Sequence, residues 1–286
     1  MRIAWYGTGL MGSGFVEALR GRGADVLVWN RTTEKAKALE RFGAVAVADP
    51  REAARQAERI HIMVADDAAV DELLGRLEGA IGPKTVVIDH STVAPKPTIE
   101  RFARVQAQGI RFLHAPVFMS PQAAREGAGV MLAAGPHAVF AEVEPELARM
   151  TGDLWYVGER PDKAAAYKLF GNEMLIFMVA GLADMYGIAR SVSIEPPEAF
   201  ELFAHFKLGG AIEFRGRKMA AGDFSSSFDL SMARKDLRLM QQTADAAGVP
   251  LHVLPAIAKR IDDVIAAGHG RDDLAVIGFD RLAAHA

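Results

Sequence analysis

One lysine stands out in a long, mostly apolar stretch of this sequence. Residues 165–185 contain Lys168, and Asn172 follows it four positions later. Residues four apart lie on one face of a helix, so the two side chains should lie together. Burying an unpaired ammonium group is costly, so such a lysine is either functional or extends its amine to solvent. If burial lowers its pKa towards neutrality, Lys168 can exchange a proton with a hydroxyl or carbonyl oxygen.

Two neighbours of this lysine fit the same catalytic face. Asn172 is placed to orient Lys168 or to hold a substrate oxygen. Gly171 stands where a stable helix would carry alanine. We interpret this glycine as leaving room for a ligand beside Lys168.

A second polar group follows the apolar run at residues 85–89. Ser91 and Thr92 come directly after it, and the carboxyl ends of parallel strands face the ligand crevice of an α/β sheet. A serine–threonine pair is also a common helix cap, and these residues alone favour neither role. His90 and His114 end predicted strands without other ligands at metal-binding spacing, so we interpret them as structural and predict no metal site.

A glycine-rich segment predicts a nucleotide site. Gly7, Gly9 and Gly12 form a G-x-G-x-x-G motif with Leu10 and Met11 between the last two glycines. The motif follows the first predicted strand and opens a helix, as a dinucleotide fingerprint requires. The helix N-terminus would offer its free N–H groups to the pyrophosphate.

The end of the second predicted strand suggests which coenzyme is bound. Sites selective for NAD place Asp or Glu here against the ribose 2′-hydroxyl, whereas this chain has Asn30, Arg31 and Thr32. No carboxylate repels a 2′-phosphate, and the planar guanidinium of Arg31 can bind one. We therefore predict NADPH (NADP⁺) as the cofactor; the alternative is a solvated arginine at a strand end.

Composition narrows the class of protein. The chain has 286 residues, half of them hydrophobic, with a net charge of −3. A mildly acidic chain is a poor partner for nucleic acid, because phosphate binding needs a basic face. The absence of cysteine excludes disulfides, thiol catalysis and thiolate zinc sites.

Hydropathy suggests neither secretion nor membrane insertion. No apolar signal segment precedes the first predicted strand. The longest apolar run, residues 174–183, is shorter than the ~20 residues that span a bilayer. We interpret this run as a buried core helix and expect a cytoplasmic protein with no membrane partner.

Apolar runs alternate with helical stretches in the first half of the chain and give way to helices alone in the second. This alternation predicts βαβ units and a mostly parallel sheet. The fold class is thus α/β, with a Rossmann NADP-binding domain at residues 1–160 and an all-helical domain at 161–286 for substrate binding and dimerisation. Predicted strands cover 2–7, 25–30, 44–48, 59–64, 85–89, 111–117, 130–135 and 154–158; predicted helices cover 11–22, 32–42, 50–57, 67–79, 136–151, 164–190, 196–206, 209–220, 229–247, 250–266 and 271–284.

Taken together, these segments resemble the β-hydroxyacid dehydrogenase family, of the 3-hydroxyisobutyrate dehydrogenase type. The glycine loop, "DHST", "HAPV", the Lys168/Asn172 helix and a late "KD" pair occur in the family's order and at similar spacing. The resemblance covers nearly the whole chain. It implies that Lys168 is the catalytic lysine and that Asn172 is its partner.

The resemblance also assigns contacts to other residues. It implies a substrate contact at Ser91 and a cofactor contact at Thr92. Lys235, in the late pair, would reach the cofactor, although a solvated charged face is the plainer interpretation of that pair. The backbone near Met63 and Val64 would lie against the nicotinamide ribose.

One segment departs from the family pattern. Typical members have D-A-P-V-S-G-G, whereas this chain has His114 to Val117 followed by Phe118, Met119 and Ser120. Glycine permits close approach and positive φ angles that methionine does not easily adopt. The anion pocket or the substrate must therefore differ, and we predict that Ser120 supplies the missing hydroxyl.

We predict an NADPH-dependent oxidoreductase that transfers hydride between nicotinamide and a small hydroxyacid or aldehyde acid, with Lys168 as general acid/base. The alternatives are a succinic semialdehyde or glyoxylate reductase, an imine reductase-like enzyme, and a non-catalytic dinucleotide-binding module. The presence of Lys168 disfavours the last two. An apolar helical domain often packs against a copy of itself, so we expect a homodimer or homotetramer.

Overall fold

The computed structural model describes residues 1–282, which divide into two compact units, one covering Met1–Glu173 and the other beginning at Met174. Within the described residues, the first unit contains one sheet of nine strands in the order β3-β2-β1-β4-β5-β6-β8-β7, and β9 also pairs with β8. The strands are β1 (Arg2–Tyr6), β2 (Asp25–Trp29), β3 (Val45–Ala46), β4 (Arg59–Ile62), β5 (Val86–Asp89), β6 (Arg111–His114), β7 (Val117–Phe118), β8 (Val130–Ala134) and β9 (Asp153–Gly158).

The predicted α/β fold with a mostly parallel sheet is confirmed. Strands β1 to β6 run parallel, and β8 runs antiparallel to both β6 and β7. Seven helices accompany the sheet within the described part of the first unit: α1 (Leu10–Gly21), α2 (Thr33–Lys37), α3 (Pro50–Gln56), α4 (Asp67–Leu77), α5 (Pro95–Ala107), α6 (Pro121–Glu126) and α7 (His137–Ala148).

Strand β1 lies inside the sheet and is buried on both faces. Ile3 and Trp5 belong to one core cluster, while Ala4 and Tyr6 belong to the other. Alternate side chains of a strand point to opposite faces, so this single strand contributes to two hydrophobic layers. Burial on both sides explains why β1 is an almost continuous apolar run.

Two predicted elements of the first unit differ from the structure. The predicted strand 111–117 is interrupted after His114, and β7 begins only at Val117. Pro116 lies in the interruption, and proline has no N–H to donate to a strand ladder. The predicted helix 32–42 is shorter, with α2 followed by a 3₁₀ turn at Glu40–Phe42.

The second unit is built from helices. Helix α8 (Asp162–Ser191) begins in the first unit and continues into the second. It is followed by α9 (Pro196–Phe200), α10 (Leu202–His205), α11 (Leu208–Ala221), α12 (Leu230–Ala246) and α13 (Leu254–Val264), and then by a π turn at Ile265–His269 and a 3₁₀ segment at Leu274–Arg281. The expectation of no strand in this half holds for residues 164–282, apart from one isolated bridge, and the predicted helix 271–284 extends beyond the described residues.

A buried carboxylate determines where α13 begins. Asp184 on α8 accepts backbone N–H groups from His252, Val253 and Leu254 at 2.8–3.0 Å. These bonds satisfy N–H groups that a helix start leaves without partners. The helix therefore begins at Leu254 rather than at the predicted residue 250.

The prediction that residues 174–183 form a buried core helix is wrong for the single chain. Six consecutive residues are each more than half exposed: Met174, Leu175, Ile176, Phe177, Met178 and Val179. By length and composition alone, α8 is also apolar enough to cross a membrane, and only 11% of its most apolar window is buried. A count of uninterrupted apolar residues missed this, because a few polar residues are tolerated in such a window.

Candidate active site

The turn between β1 and α1 brings backbone segments closer than any side chain allows. Gly7 has a φ of 93°, and a Cβ added there would lie 2.0 Å from the carbonyl oxygen of Met63. A Cβ on Gly12 would lie 2.1 Å from the carbonyl oxygen of Gly7. Only glycine fits these two positions, which have the tight turn and the close helix–strand packing expected of the motif.

Gly9 has a different environment. It precedes α1 as the cap residue, and an added Cβ would meet no atom within 4 Å. The backbone of Gly9 and the free N–H groups of the first turn of α1 therefore border open space. This is the cradle that a pyrophosphate requires, so the residues present fit a dinucleotide.

The open space continues as a cleft of about 740 Å³ within the first unit. This volume is typical of small-molecule and cofactor sites. Twelve of the predicted site residues line it: Gly7, Gly9, Leu10, Met11, Gly12, Asn30, Arg31, Thr32, Met63, Val64, Ser91 and Thr92. Sequence reasoning missed the wall formed by one face of α4, which ends with Arg76, and a further cation, Lys35.

The residues that follow β2 fix the shape of the cleft and include a cation that is available to a ligand. Asn30 accepts a hydrogen bond from the N–H of Thr8 at 3.1 Å and donates one to the carbonyl of Thr32 at 3.0 Å. Asn30 therefore ties the glycine loop to the next turn. The exposed guanidinium of Arg31 makes neither hydrogen bond nor ion pair with the residues described, so it is available to a ligand.

A chain of buried polar side chains runs beneath the cleft. The Nε of Arg59 donates to Nε2 of His61 at 2.8 Å, and Nδ1 of His61 lies 2.8 Å from Nε2 of His90. Nδ1 of His90 lies 2.7 Å from the carbonyl oxygen of Ala115. Since arginine can only donate, each histidine must be neutral with its proton on Nδ1. The sequence offered no signal for the His61–His90 pair.

Burial keeps both histidines neutral. The desolvation of His61 lowers its pKa well below the ordinary value, and the positive charge of Arg59 lowers it further. Burial also lowers the pKa of His90 to about 4. The indole ring of Trp5 stacks on both imidazoles, with centroids 5.0 and 5.7 Å away. His90 lines the cleft, so this chain connects the cleft wall to the backbone at Ala115.

Ser91 is held from three directions. Its hydroxyl accepts the N–H of Val64 at 3.0 Å, and its N–H donates to Asp89 at 2.9 Å. Nε2 of His114 lies 3.0 Å from its carbonyl oxygen, so His114 carries its proton on Nε2. Burial raises the pKa of Asp89 and lowers that of His114. A hydrogen bond from the Ser91 side chain opposes the rise in the pKa of Asp89.

Lys168 lies on the part of α8 that belongs to the first unit. Its side chain is about 9% exposed, and burial lowers its pKa. Its Nζ lies 4.2 Å from the centroid of the Phe118 ring, and it makes no ion pair with the residues described. Gly171 leaves no room for a ligand: a Cβ there would lie 2.4 Å from Cζ of Phe118, so the ring occupies the space.

The remaining predicted residues lie outside the cleft lining. Lys168 and Asn172 are on α8, one turn apart, and neither lines the cleft. Ser120 is exposed and caps α6 by accepting the N–H of Ala123 at 3.1 Å. This capping role explains a serine at that position without any catalytic function. Lys235 lies on α12 in the second unit, where it pairs with Asp236 at 3.0 Å.

The fold, the glycine turn and the cleft define a dinucleotide-binding protein of the Rossmann class. Comparisons with known proteins agree. Residues 2–158 match the NAD binding domain of 6-phosphogluconate dehydrogenase, and residues 163–279 match the NAD-binding model of NADP-dependent 3-hydroxyisobutyrate dehydrogenase. The two matches meet close to the predicted boundary at residues 160/161.

Individual relatives show how broad the group is. The chain is 29% identical to glyoxylate/succinic semialdehyde reductase 2 of Arabidopsis thaliana, over 85% of this chain and 69% of that protein. It is 30% identical to the cytokine-like nuclear factor N-PAC of Xenopus tropicalis over 87% of this chain, and it spans about half of that relative, 47%. An imine reductase from Myxococcus stipitatus with NADP⁺ has the same fold, with a TM-score of 0.90 at 20% identity over 98% of this chain and 99% of that one.

The chain belongs to the β-hydroxyacid dehydrogenase family, as its sequence motifs predicted. It is an NAD(P)-dependent oxidoreductase that acts on CH–OH or carbonyl groups.

The neutral histidines predict acid sensitivity of the first unit. Folding lowers the pKa of His61, and that of His90 from 6.5 to about 4, so their contribution is complete above pH 6.5 and lost as the pH falls towards 4. Lowering the pH from 7.5 to 5.5 should reduce the free energy of unfolding by on the order of 1 kcal/mol for each histidine. All three tryptophans lie in this unit, so urea unfolding followed by tryptophan fluorescence reports on it alone. An unchanged unfolding midpoint across this range would contradict neutral burial.

Proposed function

We propose that this protein is an NADPH-dependent reductase for small aldehyde acids, or a dehydrogenase of the matching hydroxyacids, with Lys168 as general acid/base. The observation that carries the proposal is a buried lysine whose amine has no counter-ion among the described residues and whose pKa is lowered by burial. Such an amine exchanges a proton more readily near neutral pH than an ordinary lysine does.

The cleft fits the cofactor, and the residues around it suggest a division of labour. When bound, the nicotinamide supplies or accepts the hydride. The Nζ of Lys168 holds the proton that the substrate oxygen receives on reduction, and it must be neutral to accept a proton in oxidation. Ser91, whose hydroxyl oxygen accepts the N–H of Val64, contacts the substrate from the cleft wall. Asn172, one turn after Lys168, orients the amine or holds the substrate oxygen.

The charges at the end of β2 support a preference for NADPH over NADH. Asn30, Arg31 and Thr32 line this end of the cleft, and Lys35 lies beside them. A charge-assisted hydrogen bond contributes about 1.5–3 kcal/mol, which corresponds to roughly 10- to 150-fold in affinity. The 2′-phosphate is the group that distinguishes NADPH, and a free guanidinium suits it.

The names of the relatives suggest the class of substrate. A relative named glyoxylate/succinic semialdehyde reductase favours a small aldehyde acid. An imine reductase-like activity is the second candidate, supported by likeness of fold alone. Membership of an enzyme family argues against the third alternative, a non-catalytic dinucleotide-binding module. Turnover of glyoxylate, succinic semialdehyde and a cyclic imine with NADPH separates the two remaining candidates.

We also propose that the chain is a cytoplasmic homodimer or homotetramer without a membrane or nucleic-acid partner. The exposed apolar face of α8 supports this, because soluble proteins seldom leave a large continuous apolar patch in water. The same helix carries Lys168, Glu173 and Asp184, whose charges a bilayer would disfavour.

Removal of the amine tests the catalytic proposal. Lys168→Ala should lower kcat by about 10²- to 10⁴-fold, the usual contribution of a general acid. Binding of NADPH, followed by quenching of tryptophan fluorescence, should be retained, since Lys168 does not line the cleft. Lys163→Ala, five residues earlier on the same helix, is the matched control and should keep its activity. Undiminished turnover by Lys168→Ala would refute the role.

A charge reversal tests coenzyme choice. Arg31→Asp should abolish or reverse the preference for NADPH, measured as the ratio of kcat/KM for NADPH and NADH. Lys37→Asp makes a similar change of charge on α2 outside the cleft lining and should leave the ratio near that of the wild type. Equal efficiency of the wild-type enzyme with both coenzymes would reject the preference.

An exposed apolar residue tests assembly. Ile176 is 68% exposed on α8, so Ile176→Asp should shift the mass measured by light scattering towards that of a single chain. Ile99→Asp, at an exposed apolar position on α5 of the first unit, should leave the assembly intact. A monomeric wild-type protein at micromolar concentration would be evidence against the oligomer.

A further inference from the structure

The partner of the Lys168 ammonium is an aromatic ring rather than a carboxylate. Its Nζ lies 4.2 Å from the ring centroid of Phe118, within the range of a cation–π interaction. Among the described residues, no hydrogen bond or ion pair joins this amine to another side chain. The face of a ring attracts an ammonium and does not attract a neutral amine to the same degree.

The Phe118 ring packs against helix α8 at Gly171, a contact that we call the seat of the ring. A Cβ on Gly171 would lie 2.4 and 2.5 Å from two ring atoms of Phe118, which real Cβ atoms do not tolerate. Gly181, further along the same helix, has nothing within 4 Å. The first of these glycines is therefore required by the ring, whereas the second is not. This accounts for a glycine between Lys168 and Asn172 in a helix.

The ring is also held from the strand side. Phe118 pairs with Val130 in the β7–β8 ladder and packs against a buried cluster that contains Leu132 and Val157. The close approach of its carbonyl to Gly129 excludes a side chain there, since a Cβ would lie 2.6 Å from that oxygen. Three residues upstream, the carbonyl of Ala115 accepts the hydrogen bond from His90.

We propose that Phe118 is a positioning residue that, seated against Gly171, holds the Lys168 amine by its π face and stabilises its protonated form. The proposal rests on the proposed function insofar as Lys168 is the proton donor. Burial lowers the pKa of Lys168, and the ring raises it, so that the amine stays protonated for carbonyl reduction. Phe118 acts through Lys168 and is not itself a catalytic residue.

Other charged groups do not account for the protonation state of the Lys168 amine. None of the other ionisable groups on its own helix is paired with it; these are Asp162, Lys163, Tyr167, Glu173, Asp184, Tyr186 and Arg190. In the sheet, Asp89 is the last residue of β5 and His114 is the last residue of β6, and Tyr156 on β9 donates to the carbonyl of Gly135. Burial is the cause of the lowered pKa of Lys168, with no charged neighbour contributing.

The test is a direct titration of the amine. Full-length protein labelled with ¹³C-lysine is titrated by NMR, and the Lys168 signal is assigned by its loss in Lys168→Arg. Phe118→Leu keeps the apolar contact but removes the π face, so the pKa of Lys168 should fall by roughly 0.5–1.5 units. Phe118→Tyr keeps the face and should keep the wild-type value. An unchanged or raised pKa in Phe118→Leu overturns the proposal.

A double-mutant cycle tests the seat independently. Gly171→Ala should displace the ring and lower kcat at least 10-fold, with a fall in the pKa of Lys168. Leucine lacks the ring atoms that the added Cβ would meet, so Gly171→Ala should cause little further change in a Phe118→Leu background. Gly75→Ala, at an exposed helical position with nothing within 4 Å, is the control and should be neutral. An equal effect of Gly171→Ala in both backgrounds overturns the seat.

The two proposals fail in different ways. If Lys168→Ala keeps full turnover, the proposed function fails, and the NMR titration still decides whether Phe118 stabilises the protonated amine. If Lys168→Ala loses turnover while Phe118→Leu leaves the titration unchanged, the function stands and the role of Phe118 is rejected.

Discussion

The site depends on a close approach of backbone at the carboxyl ends of β1 and β4. The turn at Gly7 passes so near the carbonyl oxygen of Met63 that a single methyl group would force the two strands apart. With that contact made, α1 starts where its N-terminus opens on the cleft, and Gly9 borders the open space. The dinucleotide cleft is therefore a consequence of backbone packing, and side chains only refine it.

Several polar side chains are buried beneath this turn. Arg59, His61 and His90 form one hydrogen-bonded chain that ends on the backbone of Ala115. A buried hydrogen-bond chain of this kind is stable only when each member has a donor or acceptor in the right place. Because the arginine can only donate, the protonation of both imidazoles is determined. The chain thus supports the segment that carries Phe118.

The same segment connects the two parts of the proposed chemistry. Its first residues contact the wall of the cofactor cleft through His90, and Phe118 contacts Lys168. Replacement of the usual Ser-Gly-Gly by Phe118, Met119 and Ser120 therefore alters the surroundings of the lysine as well as the anion pocket. A ring in this place is compatible with the helix only because Gly171 lacks a side chain. The glycine in the helix and the phenylalanine in the loop are therefore two sides of the same contact.

The sequence by itself determined the α/β fold, the glycine turn and the membership of the family, because these depend on local patterns. Continuous apolar runs, the spacing of the glycines and the arginine after β2 can each be recognised from a few neighbouring residues. It also singled out Lys168, because a charge in an apolar helix is conspicuous without any structure.

Only the tertiary structure decided what surrounds those residues. The pairing of His61 with His90 spans 29 positions, and the contact of Phe118 with Gly171 joins a strand to a distant helix. Local patterns carry no record of such contacts, so Gly171 was interpreted as space for a ligand and residues 174–183 as core. The cap that Ser120 forms on α6 is likewise visible only in the structure. Hydrophobic periodicity shows that a face is apolar, but what covers that face is decided by long-range packing.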